Sequence, residues 1–124
     1  MLEAILSSAL HLAPDAQDSH IYLYAGERIT FGSSHWRDGR KGQEWATPRQ
    51  DGLTYTVART GEAIVVSDMR DHPLFADTPE HWQGAIIGLP LKIGNRVVGV
   101  MTIAFVVARD FQETELRALR LLAT

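Results

Sequence analysis

The chain of 124 residues contains no cysteine. Without a thiol it has no disulfide, no thiolate metal ligand, no cysteine nucleophile and no thioether attachment point for a chromophore. It also has no run of about 18 apolar residues, the length that a membrane-spanning helix needs. The opening MLEAILSSALHLA is apolar, but Glu3 stands where a signal peptide has its basic segment. We therefore expect a cytoplasmic domain that does not insert into a membrane.

The sequence also lacks a cluster of charge of one sign, and its formal net charge is −3. Arg37, Arg40 and Lys41 are close in sequence but alternate with Asp38 and Glu44. This arrangement gives no continuous basic face for a phosphate backbone, so we expect no nucleic-acid partner. A chain of this length buries roughly two-thirds of its unfolded surface, which is enough for one hydrophobic core.

Hydrophobic periodicity predicts helices at both ends and strands between them. Leu2, Ile5 and Leu6 begin a helical stripe that ends before Pro14, and a final helix follows Asp110. Asp110 and Glu113 resemble its capping box. The predicted strands are 20–26, 28–32, 63–67, 84–93 and 96–107, and the predicted shorter helices are 52–60 and 78–82. This order indicates an α+β domain around a mainly antiparallel sheet.

Two segments carry information beyond the periodicity. Residues 33–50 show neither the helical nor the strand period of apolar residues, but they contain Trp36 and Trp45. This combination favours a long loop that covers part of the domain. The last helix reaches Thr124 without a glycine or proline to end it. We therefore expect residues 1–124 to be a single domain taken from a longer multidomain chain.

The stretch VVSDMRDHPLF concentrates reactive side chains, Ser67, Asp68, Asp71 and His72. A hydrolase site here would lack the Gly-x-Ser-x-Gly elbow, and a metal site would lack the helical i, i+4 ligand pair. Turn chemistry explains the same residues: Asp68 can accept backbone N–H bonds where a strand ends, and His72 precedes a proline and should be extended. We predict no catalytic and no metal-ligating residue, and keep the hydrolase or metal site as an alternative.

Several segments together resemble the GAF domain, a small ligand-sensing module of signalling proteins. They are LEAILSSAL, GLTYTVARTGEAIVVSD, the HPLF turn, GLPLKIGNRVVGVMTIAF and DFQETELRALRLLA, in the order and at the spacings of the family. The resemblance covers nearly the whole chain. It implies a GAF-like, PAS-related α+β fold with about six antiparallel strands. The terminal helices should cover one face of this sheet, and short helices and loops should form a pocket on the other.

The resemblance also implies a function. It implies a sensory or regulatory domain without catalytic activity of its own. Such a domain passes the state of its pocket through the terminal helices to a linked output domain. A histidine kinase of a two-component system is the expected output, and a cyclic-dinucleotide enzyme is another. The expected partners are a second copy bound through the N- and C-terminal helices, the output domain and an unidentified small molecule. A ligand-free dimerisation or scaffold module is the alternative.

The resemblance leaves the cofactor unknown. Members with a covalent bilin or with sulfoxide reductase activity use cysteine, so the composition excludes both and leaves a non-covalent ligand. Cyclic-nucleotide-binding members carry Asn-Lys at the end of the long strand, where this chain has Ala104 and Phe105. Haem-binding members use a histidine, but the five histidines show no repeated ligand spacing, and we expect His11 and His20 at the surface or a sheet edge. Haem and a cyclic nucleotide stay open as ligands, but the residues support neither of them.

Aromatic residues are the main indication of a pocket. By the matching strand position in phytochrome relatives, Tyr22 and Tyr24 should face the pocket, and Ile21 and Leu23 should face the terminal helices. The alternative is that aromatic side chains fill this space as a second core and leave no cavity. The candidate ligand-binding residues are Tyr22, Tyr24, Phe31, Trp45, Tyr55, Arg70, His72, Phe75 and Trp82.

Overall fold

The computed structural model describes residues 2–44 and 47–123. Within them lie three α-helices, α1 (Leu2–Leu12), α2 (Leu53–Thr60) and α3 (Glu113–Leu122). The strands are β1 (Asp18–Ala25), β2 (Arg28–Trp36), β3 (Ile64–Val66), β4 (Ala85–Ile93) and β5 (Arg96–Phe105). They form one antiparallel sheet in the order β2-β1-β5-β4-β3, with β5 at the centre. No helix in the described residues is long and apolar enough to cross a membrane.

The predicted α+β architecture is confirmed, with five described strands where about six were expected. β2 is longer than predicted and takes in Ser33 to Trp36, which had been assigned to the long loop. The polar residues at the end of β2 do not show the alternating pattern of a strand. Ser34 is nevertheless buried, and its hydroxyl donates a 2.6 Å hydrogen bond to the carbonyl of Gln43. The predicted helix over 78–82 is a turn, closed by the Trp82 amide and the Pro79 carbonyl.

Period-two alternation gives the sheet two different faces. Terminal helices α1 and α3 cover one face, where Ile21, Met101 and Ile103 are fully buried. Ile21 therefore lies where predicted, whereas Leu23 is 43% exposed instead of packed under a helix. The reason is that α1 begins beside Gly32 and Ile21, so that Leu23 lies beyond the start of the helix. The other face belongs to α2 and the segment after β3.

Close packing fixes α2 on this second face. Gly88 of β4 lies under the helix, and a Cβ at this position would be 2.6 Å from Leu53 Cδ2. The helix begins after Gly52 without a side-chain cap, and it ends at Gly61 in the left-handed conformation with φ 70°. Two single-turn 3₁₀ helices, Met69–Asp71 and Pro73–Phe75, follow β3 and complete this layer.

Candidate ligand-binding cavity

A cavity lies between the second sheet face, the start of α2 and the two 3₁₀ turns. It offers about 90 Å³ to the centres of water-sized molecules. Since one water needs about 10–15 Å³ by this measure, the space suits a small molecule rather than a single water. The lining residues are Gln17, Asp18, His20, Tyr22, Thr47, Pro48, Arg49, Gly52, Leu53, Thr54, Met69, Phe75, Trp82, Gln83, Ile86, Thr102, Ala104 and Phe105.

The floor of the cavity is polar and buried. Alternation along β1 and β5 places Asp18, His20 and Thr102 on the same face, where Asp18 is 3% exposed and His20 is 1% exposed. Nδ1 of His20 lies 3.0 Å from Oδ1 of Asp18. The prediction that His20 lies at the surface or an edge is wrong. β1 begins at Asp18, earlier than predicted, so His20 lies inside the strand between Ser34 of β2 and Thr102 of β5.

Aromatic rings surround His20. The ring of Tyr22 lies nearly parallel to it, at 16° and 6.0 Å between centroids, and the ring of Trp36 meets it edge-on at 5.4 Å. Phe31 approaches both His20 and Tyr22 at about 6 Å. Burial raises the pKa of the Tyr22 phenol, and the negative charges of Glu44 and Asp18 raise it further. The phenol therefore stays protonated and can donate a hydrogen bond at neutral pH.

The segment after β2 supports this aromatic group from outside. The Arg40 guanidinium lies over the Trp36 ring, 4.2 Å from its centroid, and the indole nitrogen of Trp36 donates to the Gln43 carbonyl at 2.9 Å. The side chain of Arg40 is itself held by Asp38 at 2.9 Å. These contacts hold the Trp36 ring at the end of β2 against the His20 ring.

The structure separates the predicted site residues into two groups. Tyr22, Phe75 and Trp82 line the cavity. Tyr24 lies on the same face but packs with the apolar residues under α2, and Phe31 stands behind Tyr22. Trp45 lies outside the described residues.

The other three predicted residues serve neighbouring backbone. Tyr55 is buried in α2, with its hydroxyl accepting from the Ile29 amide at 3.4 Å. Arg70 donates to the Phe75 carbonyl and to the Thr78 hydroxyl, and Nδ1 of His72 accepts from the Leu74 amide at 3.2 Å. None of the three is a lining residue. Arg70 and His72 therefore hold the two 3₁₀ turns that roof the cavity.

The reactive residues of this segment take part in the same turn chemistry. The Asp68 side chain accepts from the Arg70 amide at 3.0 Å, and the Ser67 carbonyl accepts from the Arg109 amide at 3.0 Å. Among residues 2–44 and 47–123 no group of three or more histidine, aspartate or glutamate side chains is arranged to hold a metal. The turn interpretation of this stretch accounts for these contacts.

Arg109 connects the cavity to the segments next to both terminal helices, a role that no pattern in the sequence indicates. Its guanidinium contacts Asp15, after α1, at 2.8 Å and Glu115, in the first turn of α3, at 2.6 Å. It also lies over the rings of Phe111 at 4.5 Å and Phe105 at 5.3 Å, and Phe105 lines the cavity. Partial burial opposes its charge, but the carboxylates outweigh this effect and raise the pKa of Arg109. We call these five residues the Arg109 junction.

A second arginine fixes the end of α1. Arg37 follows β2 directly and donates to the carbonyls of Leu10 at 2.9 Å, Ala13 at 2.9 Å and Ala16 at 3.0 Å. A cation at a helix C-terminus is favourable because the last carbonyls carry partial negative charge and lack partners in the helix. Since Arg37 is the neighbour of Trp36, the cavity floor and the end of α1 are linked by adjacent residues.

Solved structures with the same fold come from proteins of different activity. The GAF domain of an Acinetobacter phosphoenolpyruvate-protein phosphotransferase is 20% identical, with a TM-score of 0.73 over 97% of this chain and 74% of that chain. Free methionine-R-sulfoxide reductase from Neisseria meningitidis is 21% identical, with a TM-score of 0.75 over 98% and 72%. A red/green cyanobacteriochrome in its green-light-absorbing state is 16% identical, with a TM-score of 0.76 over 99% and 86%.

The reductases correct one prediction. The expectation that the domain has no catalysis of its own is wrong, because enzymes of this kind from Neisseria meningitidis, Staphylococcus aureus and Thermoplasma acidophilum share the fold. The fold therefore gives no ground for excluding a catalytic domain.

Family membership follows from the sequence as well as from the fold. No curated protein matches the sequence. A family model described as the GAF domain, however, matches residues 1–124. This match confirms the resemblance drawn from the segments at both ends and in the middle of the chain. The chain belongs to the GAF domain family, whose fold serves sensing and regulation.

Proposed function

We propose that this GAF domain binds a small molecule non-covalently in the cavity and passes the occupancy of the cavity to its terminal helices. The observation that carries the proposal is the continuity from cavity to helices. Phe105 is at once a lining residue and a ring under the Arg109 guanidinium, which holds the segments next to α1 and α3. A ligand that displaces Phe105 changes the support of both helices.

The lining supports a specific ligand site rather than a second core. Ligand sites combine mainly apolar walls with a few placed polar groups. Here Leu53, Met69 and Ile86 supply apolar wall, and Asp18 and His20 supply polar atoms on the floor. The Neisseria reductase, solved in complex with its substrate, supports the capacity of this fold to take up a small molecule. The absence of cysteine favours a non-covalent ligand.

The second half of the proposal concerns the output. In a longer chain, α3 would continue towards an output domain, for which a sensor histidine kinase is our proposal, and two copies would pair along α1 and α3. Leu12 and Leu121 support this pairing because both are large apolar side chains exposed on the terminal helices. A ligand shifts such a system only through its different affinity for two arrangements of the junction.

Native mass spectrometry of freshly purified protein, combined with a thermal-shift screen, tests the first half. We expect a co-purified or added small molecule to bind the wild type and to be lost in Ala104→Phe, which fills the cavity from β5. Thr114→Phe, at an exposed position of α3, is the matched control and should bind as the wild type does. If no compound binds, or if Ala104→Phe binds equally well, the cavity is not a ligand site and the domain is a scaffold module.

A further inference from the structure

We infer that the cavity selects a small organic cation, an ammonium or amidinium group attached to an apolar ring-sized body. This inference rests on the proposed function and names the ligand class of the same site. It depends on three observations: the sign of the charge on the floor, the engagement of the lining arginine, and the number of aromatic rings in the wall.

The buried charge that faces the cavity is negative. Among the described lining residues, Asp18 is the carboxylate and Arg49 the guanidinium, and His20 lies beside Asp18. Asp18 lies on the buried floor, and one of its carboxylate oxygens is 3.0 Å from Nδ1 of His20. Burial of a carboxylate is costly unless donors or cations surround it. An ammonium group meets this requirement, whereas an anion adds repulsion.

The positive lining residue is already engaged elsewhere. Nη2 of Arg49 donates to the Leu74 carbonyl at 2.8 Å, and Nη1 lies 3.6 Å from Asp51. The guanidinium therefore holds the roof of the cavity, and the Asp51 carboxylate lies near it on the outer side. Glu44 adds a further negative charge that acts on Tyr22. A phosphate or carboxylate in the cavity would meet Asp18 without gaining the full charge of Arg49.

The walls favour a cation for a separate reason. Tyr22, Phe75, Trp82 and Phe105 contribute aromatic rings to the lining. The face of an aromatic ring carries partial negative charge and attracts a cation within about 6 Å of its centre, most strongly when water is excluded. The same rings pack against the apolar body of the ligand. Carboxylate floor and aromatic walls together match one ligand, a cationic group on a hydrophobic body.

Three probes of one shape separate charge from size: benzylamine, benzyl alcohol and phenylacetate. They share a ring and a methylene group and end in a cation, a neutral hydroxyl and an anion. Calorimetric titration at neutral pH should show benzylamine binding at least about tenfold tighter than benzyl alcohol, because hydrogen bonds to charged groups are the stronger ones. Phenylacetate should bind more weakly than the alcohol.

Variants assign the preference to the cavity. Asp18→Asn should weaken the binding of benzylamine by about tenfold, since only the charge is removed. The affinity for benzyl alcohol should stay within about twofold of the wild-type value. Asp77→Asn, at an exposed aspartate outside the lining, is the matched control and should change neither. Should Asp18→Asn fail to fold, Arg49→Gln gives the second test. Removing the positive charge of Arg49 should tighten the binding of benzylamine and weaken the binding of phenylacetate further.

The outcomes distinguish this inference from the proposed function. Binding of phenylacetate as tight as that of benzylamine overturns the cation preference but leaves a ligand-binding cavity. An equal effect of Asp18→Asn and Asp77→Asn overturns it as well. If no probe binds up to its solubility, the cation class is wrong, and native mass spectrometry with Ala104→Phe still decides whether the cavity takes a ligand of another class.

Discussion

Gly84 is the residue directly before β4, and it lies beside the end of β5. Its φ is 103°, a region that favours glycine, and its carbonyl accepts from the Met69 amide at 2.9 Å. An added Cβ would collide with the backbone carbonyl groups of Phe105 and Val106, which cannot move as a flexible side chain can. The residue therefore sets how closely the first 3₁₀ turn approaches β5.

Gly84→Ala should lower the free energy of unfolding by more than about 2 kcal/mol, from backbone strain and the backbone collision together. Gly39→Ala is the matched control, because Gly39 has φ 98° but open space around its Cα. It should lose only about 1 kcal/mol, the cost of the strained φ alone. Urea unfolding measures both values, and equal losses would show that the close contact is unimportant.

Tyr22 gives a prediction about alkaline pH. Burial raises its pKa above the ordinary 10.0, so the folded state favours the neutral phenol. The corresponding stability is fully present below about pH 10, the value of the unfolded chain, and is lost as the pH rises above it. Tyr22→Phe should therefore lose less stability than the wild type between neutral and strongly alkaline pH. Parallel slopes in the two proteins would contradict this account.

At the residue scale, only some of the aromatic residues proposed from the sequence line the cavity, and the polar residues of its floor were not proposed. Phe75 and Trp82 were selected as pocket residues because large rings near loops indicate covered space, and both line the cavity. Asp18 and His20 were missed because isolated polar residues usually lie in solvent. Their contact on one strand face lowers the free-energy cost of burying them. The alternation of Asp18, His20 and Tyr22 was the signal that could have identified them.

At the scale of elements, the start of α3 depends on a capping box different from the one predicted. Gln112 and Glu115 form it, in place of Asp110 and Glu113. The Glu115 carboxylate accepts from the Gln112 amide at 3.0 Å and contacts Arg109 at 2.6 Å. These two interactions lower the pKa of Glu115. The helix start and the Arg109 junction therefore share one carboxylate.

Glu115→Gln should make the domain less stable by about 0.5–1.5 kcal/mol at neutral pH, since the cap is weakened and the charge lost. The lowered pKa means that the wild-type carboxylate contributes above pH 4.5 and that this contribution disappears as the pH falls through its folded value. The variant should therefore be less sensitive to acid. Glu113→Gln, whose partner Arg120 is 3.8 Å away, should stay within about 0.5 kcal/mol of the wild type. Equal effects in both variants would exclude the junction as the cause.

Elements with strong periodicity were predictable, and contacts distant in sequence were not. The β4–β5 hairpin follows from two apolar runs separated by Gly94 and Asn95, and the structure has this hairpin. The end of β2 was missed because the buried hydroxyl of Ser34 is satisfied by the Gln43 carbonyl, a contact that no local pattern indicates. Arg109 contacts Asp15, which is 94 residues away in the sequence, and no local sequence pattern predicts such a contact.

At the scale of the whole molecule, the cavity and the terminal helices lie on opposite faces of the sheet and are closest near the end of β5. α1 and α3 cover one face, the cavity lies on the other, and the Arg109 junction connects them around the end of β5. This arrangement matches the proposal that helix pairing between two copies responds to the cavity.

The proposed pairing predicts a substitution effect on oligomeric state. Leu121 is 68% exposed on α3, and we expect Leu121→Glu to make the protein monomeric by placing charge in the helix contact. Val107→Glu is the control, because Val107 is 72% exposed after β5, outside both terminal helices. It should leave the dimer intact. Light scattering across a concentration series measures the outcome, and a wild type that is monomeric throughout contradicts pairing by these helices alone.

The most direct test of the central claim is residue-resolved amide NMR of the wild type and Ala104→Phe during titration with a cavity ligand from the screen. We predict shifts in the wild type at two separate places, the lining residues Tyr22, Phe75 and Trp82 and the junction residues Asp15 and Glu115. Both sets should be lost in Ala104→Phe. Shifts that stay confined to the lining, or that persist unchanged in the filled variant, would contradict a cavity coupled to the terminal helices.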